Sequence, residues 1–471
     1  MKVEQLFTGC LAEMAYYIHS NGEAAIIDPL RETEPYIEMA KADGAKIKYI
    51  FLTHFHADFV SGQVDLAKKT GATIVFGPNA NPIYDIHQGK DGENFKIGDL
   101  TLQLLHTPGH TMESSSYLLI DEKGNKPYVF TGDCLFIGDV GRPDLAVKSD
   151  LTQEDLAGHL FDSLRNKIMT LPDDIIVYPN HGAGSACGKN MSSETFDTLG
   201  NQKKTNYALR ADMTKEEFIK EVTTGLKPAP QYFGNNVRMN KGVNISIDEV
   251  ILKGTTPIDA DTFKEMSEQK DVLVIDTRTK EIYTEEGTVP GAWYIGVEGG
   301  FAPWVGALVT NINQKIIFIA EEGREHEVVI RLSRVGYDNT LGYLRGGIHS
   351  WKAAGHKVDK IGSMSATQFA NGLKDGTIGL ALDVRRESEY LSEHVVGVEN
   401  FPLDFIHSNF AEIKPDKKYV IHCASGYRSL ISASILQAKG VKNVTDVRGG
   451  FNDIKDTGVK LTEYVCPTTL L

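Results

Sequence analysis

The sequence predicts an α/β protein of several domains, and three observations predict it. Its 471 residues are too many for one hydrophobic core. The first half alternates short apolar runs with turn signals and amphipathic segments. The second half repeats itself, and each copy alternates strand-like with helix-like stretches.

In the first half, "AAIID" (24–28), "KYIFLT" (48–53), "ATIVFG" (72–77) and "LTLQLLHTPG" (100–109) read as strands. So do "SYLLID" (116–121), "YVFTGD" (128–133) and "IIVYPNHG" (175–182). Amphipathic segments lie between some of them, at 61–71 and 152–171. This mixture predicts sheets covered by helices. Several strands end in histidine or aspartate, where chemistry is expected.

In the second half, "VLVIDTR" (272–278) is echoed by "LALDVRR" (380–386), and "VPGAWYI" (289–295) by "VVGVENF" (395–401). "KIIFIAEEGRE" (315–325) is echoed by "KYVIHCASGYR" (418–428), and "YLRGGIHSW" (343–351) by "DVRGGFNDI" (446–454). Arg345 and Arg448 stand 103 residues apart, as do Ala320 and Cys423, so one register holds across that span of the repeat. Strand–helix alternation in each unit predicts a parallel sheet with helices on both faces. A polar, Gly/Asn-rich stretch (231–244) precedes a boundary near 250, and a second boundary falls near 360. The expected domains are therefore 1–250, 256–358 and 362–471.

Apolar content of 41% and charged content of 24% are those of an ordinary globular chain. The net charge of −14 argues against nucleic acid or an anionic membrane as partner. The first residues lack an apolar signal core, and no run of about 18 apolar residues suggests a membrane span. Five widely spread cysteines fit reduced thiols, and hence a cytoplasmic protein.

The densest motif is "FLTHFHADFVSG" (51–62). His54, His56 and Asp58 alternate in it with metal-ligand spacing, and Phe59 follows where a second metal would want histidine. "HTPGHT" adds His106 and His110, "FTGDCLF" adds Asp133, and "YPNHGAG" adds His181. His106, His87 and His159 are taken as structural or surface residues. Four such segments in this order resemble the metallo-β-lactamase superfamily over residues 1–250, which implies a sandwich of two sheets flanked by helices. The resemblance maps a first metal onto His54, His56 and His110. Asp133 would bridge to a second metal, held also by Asp58 and His181. Phenylalanine cannot coordinate, so the second set is short of ligands for zinc and one metal is expected.

Two histidines and one carboxylate that leave open positions suit non-haem Fe(II). The persulfide dioxygenase branch of the superfamily uses such a triad, which carries over to His54, His110 and Asp133. "FTGDCLFIGDVGRPDL" resembles that branch too, including Gly141 and Arg142. The resemblance implies one Fe(II) per chain that oxidises a small-molecule thiol persulfide with O2 to sulfite and thiol. His56, Asp58 and His181 then orient ligands or water. Arg142 either holds an anionic part of the thiol carrier or closes its own loop with a salt bridge. Cys187 follows the histidine loop and is the best placed of Cys10, Cys134 and Cys187 to meet a persulfide. This branch forms dimers or tetramers, so a homo-oligomer is expected.

"VIHCASGYRS" (420–429) sets Cys423 between an apolar strand and an amphipathic helix. Inward-pointing N–H groups and a helix N-terminus favour a thiolate there. Arg428 lies five residues on and can hold an anion. With "DVR" and "RGG" around it, this loop resembles the rhodanese sulfurtransferases, whose loop also has four residues between cysteine and arginine. The resemblance implies that Cys423 carries sulfane sulfur as a persulfide, with Arg428 catalytic beside it and Ser425, Gly426 and Tyr427 binding substrate. The first repeat has Ala320 for Cys423 and Glu325 for Arg428, so it is read as non-catalytic. Transfer can run from Cys423 to sulfite or from thiosulfate to Cys423. Two alternatives stay open: a zinc-dependent thioester hydrolase of the glyoxalase II type, with metal-bound hydroxide as nucleophile, and a sulfur carrier or sensor.

Overall fold

The fold is taken from a computed structural model that describes residues 1–147 and 150–466. The chain divides into two compact units, Met1–Ile247 with Ser333–Gly336, and Asp248–Leu332 with Tyr337–Leu471.

The first unit carries two six-stranded sheets. One runs in chain order through Lys2–Thr8, Glu13–Ser20, Glu23–Ile27, Lys46–Phe51, Thr73–Phe76 and His87–Gln88. The other is ordered Asp197–Thr198, Ile176–Pro179, Tyr128–Gly132, Ser115–Ile120, Leu100–His106, Asn94–Ile97. All seven strands expected in the first half are present. Met14, Tyr16, Ile18, Ile27 and Phe51 of one sheet pack against Leu102, Leu104, Tyr117, Leu119 and Phe130 of the other. Behind the first sheet, Ala15, Tyr17, Ala24 and Ile26 meet Tyr36 and Ala40 of the helix Glu34–Ala42 and Leu66 of Gln63–Thr70. Behind the second, Leu118, Val129 and Val177 meet Leu156, Ala157 and Leu160 of the helix Gln153–Ser163. The layers are thus helix, sheet, sheet, helix.

Five strands of this unit lie outside the sequence reading, namely Lys2–Thr8, Glu13–Ser20, His87–Gln88, Asn94–Ile97 and Asp197–Thr198, and double coverage explains the second of them. Glu13–Ser20 is buried on both faces, so its residues do not alternate apolar with polar. The helix Gln153–Ser163 begins at a capping box, with Thr152 and Asp155 each satisfying the other's backbone N–H.

The second unit carries two five-stranded parallel sheets of identical order. The first runs Pro257–Ile258, Thr340–Leu344, Lys315–Ile319, Val272–Asp276, Trp293–Tyr294. The second runs Gly362–Met364, Asn443–Val447, Lys418–His422, Ala381–Asp383, Glu399–Asn400. Each repeat keeps a buried ion pair where a central strand ends: Asp276 with Arg278 at 2.6 Å, and Asp383 with Arg385 at 2.6 Å. Among the described residues, no helix is long and apolar enough to cross a membrane.

Candidate metal centre and cysteine loop

The strand Lys46–Phe51 delivers the histidine loop. Asp28, at the end of the neighbouring strand, shapes it. Its Oδ1 accepts from Thr53 N at 2.8 Å and its Oδ2 from Thr53 Oγ at 2.8 Å. Since the Thr53 hydroxyl donates to Asp28, it accepts from His54 Nδ1 at 3.0 Å, which leaves His54 Nε2 as a bare lone pair. His110 is set in the same way: Nδ1 donates to the Arg142 carbonyl at 2.9 Å and frees Nε2. Gly141 allows this approach, because a Cβ there would lie 2.0 Å from Asp133 O and 3.1 Å from His110 Nδ1.

His54, His110 and Asp133 converge as one buried set. Asp133 Oδ2 lies 3.4 Å from His110 Nε2 and 3.8 Å from His54 Nε2. Asp133 Oδ2 and His54 Nε2 are buried without a hydrogen-bond partner. Two bare imidazole nitrogens and one bare carboxylate oxygen facing each other fit a divalent cation, since orphaned buried polar atoms are otherwise costly. Burial, with His56 beside it, keeps His54 neutral well below the usual histidine range, the form a metal requires. Burial alone would raise the Asp133 carboxyl, but the charged His181 that hydrogen-bonds it outweighs burial and keeps the carboxylate ionised.

The remaining expected ligands sit one step back. His181 Nδ1 donates to Asp133 Oδ1 at 2.9 Å and Nε2 to Asp58 Oδ2 at 2.8 Å. Burial opposes a charge on this ring, yet the two carboxylates override it and hold His181 well above the usual range. Cys187 joins Asp58 and His181 in a second buried set. His56 Nε2 donates to Asp28 Oδ1 at 2.9 Å, and its ring stacks on Phe59 at 4.3 Å. Phe59 is fully buried, so an apolar ring fills the position after Asp58.

Arg142 is committed to its own loop. Its guanidinium donates twice to Asp144, and also to the carbonyls of Ala186 and Lys227. This is the loop-closing alternative, with no donor pair left open for a substrate anion. Asn240 was not expected at the site. The polar stretch before residue 250 contains the helix Phe233–Lys241, and Asn240 Nδ2 donates to the His56 and Phe59 carbonyls at 2.8 Å each. His87 pairs with Glu93, and His106 donates to the Met112 carbonyl, both outside the triad.

In the second unit, Cys423 follows the strand Lys418–His422 and is 1% exposed. Gly426, at φ 96° in the left-handed region, turns its N–H onto Cys423 Sγ at 3.1 Å, and the helix Tyr427–Ala438 starts there. The "RGG" motif braces the loop from the other side. A Cβ on Gly450 would lie 2.4 Å from Cys423 O, and Phe451 N donates to that carbonyl.

The other expected loop residues have partners within this unit. Arg428 is held bidentate by Glu389, at 2.6 and 2.8 Å, so its charge is already paired. Tyr427 Oη donates to the Gly296 carbonyl of the first repeat at 2.7 Å. Exposed Ser425 offers its carbonyl to Lys280 Nζ of the same repeat at 3.2 Å. Gly299 makes room for Tyr427, because a Cβ there would lie 2.2 Å from the ring.

Comparison with known proteins follows the same division. Residues 8–181 match the metallo-beta-lactamase superfamily, and residues 259–354 and 365–457 match the rhodanese-like domain. The mitochondrial persulfide dioxygenase of Mus musculus is 31% identical over 211 residues, covering 44% of this chain and 74% of that protein. The probable hydroxyacylglutathione hydrolase of Schizosaccharomyces pombe is 35% identical over 179 residues, covering 37% of this chain and 64% of that protein. A crystal structure of a metallo-beta-lactamase from Staphylococcus aureus aligns with a TM-score of 0.63 at 30% identity, covering 73% of this chain and 98% of that one. The chain belongs to the metallo-β-lactamase superfamily, with two rhodanese-like domains following its metallo-β-lactamase domain.

Proposed function

We propose that the protein is an iron(II)-dependent persulfide dioxygenase joined to a sulfurtransferase. The first domain, 1–250, turns a small-molecule thiol persulfide, O2 and water into thiol and sulfite. The third, 362–471, moves sulfane sulfur between thiosulfate or sulfite and a thiol through Cys423. The second, 256–358, has Ala320 in place of that cysteine and is non-catalytic. The observation that carries this reading is the convergence of His54 Nε2, His110 Nε2 and Asp133 Oδ2, with Phe59 stacked on the neighbouring His56. Similarity to persulfide dioxygenases supports it. So does the presence of two rhodanese-like domains.

Iron(II) held by His54, His110 and Asp133 would supply the redox chemistry that dioxygen requires. The chain's own groups do the rest. The Arg142 carbonyl and Thr53 hydroxyl aim the two imidazoles, and His181 fixes one oxygen of Asp133 so that the other stays free. Joining both activities in one chain raises the effective concentration of the shared sulfur species.

A hydrolase is the second reading, favoured by the similarity to hydroxyacylglutathione hydrolase. Metal analysis of protein made with both metals supplied separates the two. About one iron per chain, with oxygen uptake from glutathione persulfide, is the expected result. Two zincs per chain, with thioester hydrolysis and no oxygen uptake, would replace the dioxygenase reading.

Gly299→Ala gives a test of the non-catalytic repeat. The added Cβ must displace Tyr427, so the cysteine loop loses its seat. Sulfur transfer at Cys423 is expected to fall on the order of 10-fold or more, since small misplacements of reacting groups are costly. Oxygen uptake by the same protein should be unchanged. Unaltered transfer rates would show that the repeat does not support the loop.

A further inference from the structure

The sulfur of Cys423 meets a side chain that the sulfur-transfer reading leaves unused. Ser429 Oγ donates to Cys423 Sγ at 3.5 Å, beside the Gly426 N–H at 3.1 Å. Both Ser429 and Cys423 are buried, so bulk water does not compete for either group. Local geometry puts the hydroxyl there. The left-handed turn at Gly426 starts the helix Tyr427–Ala438, of which Ser429 is the third residue. Side chains on a helix tilt toward its N-terminus, which carries this one back over the cysteine.

Two donors on one sulfur suit one of its charge states. A thiol is a weak acceptor and holds a hydrogen of its own, whereas a thiolate only accepts. Hydrogen bonds to an ionised partner are also the stronger kind. The pair therefore favours negative charge on Cys423 Sγ over a neutral sulfur, whether that neutral sulfur bears hydrogen or a second sulfur.

The first repeat supplies an internal comparison. In the shared register, Ala320 and His326 stand at the positions of Cys423 and Ser429. Gly323 nevertheless keeps the left-handed turn of Gly426, at φ 84° against 96°. The hydroxyl is therefore not needed to make the turn. It stands in the repeat that has a sulfur to receive it.

We propose that Ser429 is a catalytic residue for sulfur transfer, whose hydroxyl stabilises the Cys423 thiolate as nucleophile and as leaving group. The inference rests on the sulfurtransferase reading of Cys423. In charging, the thiolate attacks the sulfane sulfur of thiosulfate. A new S–S bond forms, the old one breaks, and its electron pair leaves on sulfite, so thiolate and thiosulfate become a persulfide anion and sulfite. In discharge, an acceptor thiolate attacks the sulfane sulfur now on Cys423. That S–S bond breaks and its electron pair returns to Sγ, beside the two donors, while the acceptor becomes the persulfide anion. A thiolate departs faster the better its charge is stabilised.

The leaving-group role is tested without turnover. Full-length protein is treated with methyl methanethiosulfonate, which places a methylthio group on Cys423 as a stand-in for the carried sulfur. Dithiothreitol then attacks the outer sulfur and Cys423 Sγ departs. Release is followed by mass spectrometry of the Cys423 peptide. Ser429→Ala is expected to slow release on the order of 10-fold, and Ser429→Thr, which keeps the hydroxyl, to restore it. Formation of thiocyanate from cyanide by thiosulfate-charged protein should follow the same order of rates. Release at the unaltered rate in Ser429→Ala, or a Ser429→Thr protein as slow as Ser429→Ala, overturns the proposal. Release that depends on the hydroxyl in a protein forming no thiocyanate would instead remove the sulfurtransferase reading.

Discussion

His110→Ala is expected to empty the metal centre and abolish oxygen uptake from glutathione persulfide. One of three ligands is lost, and the other two cannot close a facial set. Removing a group that merely orients a ligand costs about 10–100-fold in metal affinity or activity, so loss of the ligand itself should exceed about 100-fold. Some stability is lost too. The Arg142 carbonyl loses its donor in a buried place, which costs about 1–3 kcal/mol. Iron per chain should fall with activity, while thiosulfate sulfurtransferase activity stays. Oxygen uptake that survives in iron-free His110→Ala protein would end the proposed mechanism.

Cys423→Ser is expected to do the reverse. Serine preserves the loop's size but is not ionised near neutral pH, and it cannot carry a persulfide. Transfer between thiosulfate or sulfite and a thiol should fall by at least about 10³-fold, as when a covalent nucleophile is removed. Iron content and oxygen uptake should match those of the unaltered protein. If Cys423→Ser also stopped oxygen uptake, the two activities would not be separable steps. If it left transfer intact, the nucleophile would have to be sought among Cys10, Cys187 and the other thiols.

Much of the architecture was legible because it is written in local patterns. The seven expected strands of the first half lie within a few residues of their predicted ranges, since each is a short apolar run bounded by turn residues. The 103-residue register of the repeat is matched by two parallel sheets with the same strand order. The strand Glu13–Ser20 was not legible. It is buried on both faces, and a period-2 signal vanishes when neither face meets water.

The histidine, aspartate and cysteine motifs could be found by spacing, but the partners that aim them could not. Asp28 is an ordinary residue at the end of a strand until Thr53 and His56 fold against it. Asn240 lies in a polar stretch that reads as a linker, yet it clamps the loop from more than 180 residues away. Glu389 answers Arg428, and Asp144 answers Arg142, partners that the arginines' places in the sequence do not disclose.

The sequence by itself determined which side chains can do chemistry: the imidazoles, the carboxylates, and the single loop cysteine, whose place in the first repeat is taken by Ala320. Only the tertiary structure decided which atom of each is free to act. The physical reason is that a lone pair or a proton is available only when no neighbour uses it. Those neighbours come from strands and helices far away in the chain, brought together by burial of the sheets between their helices.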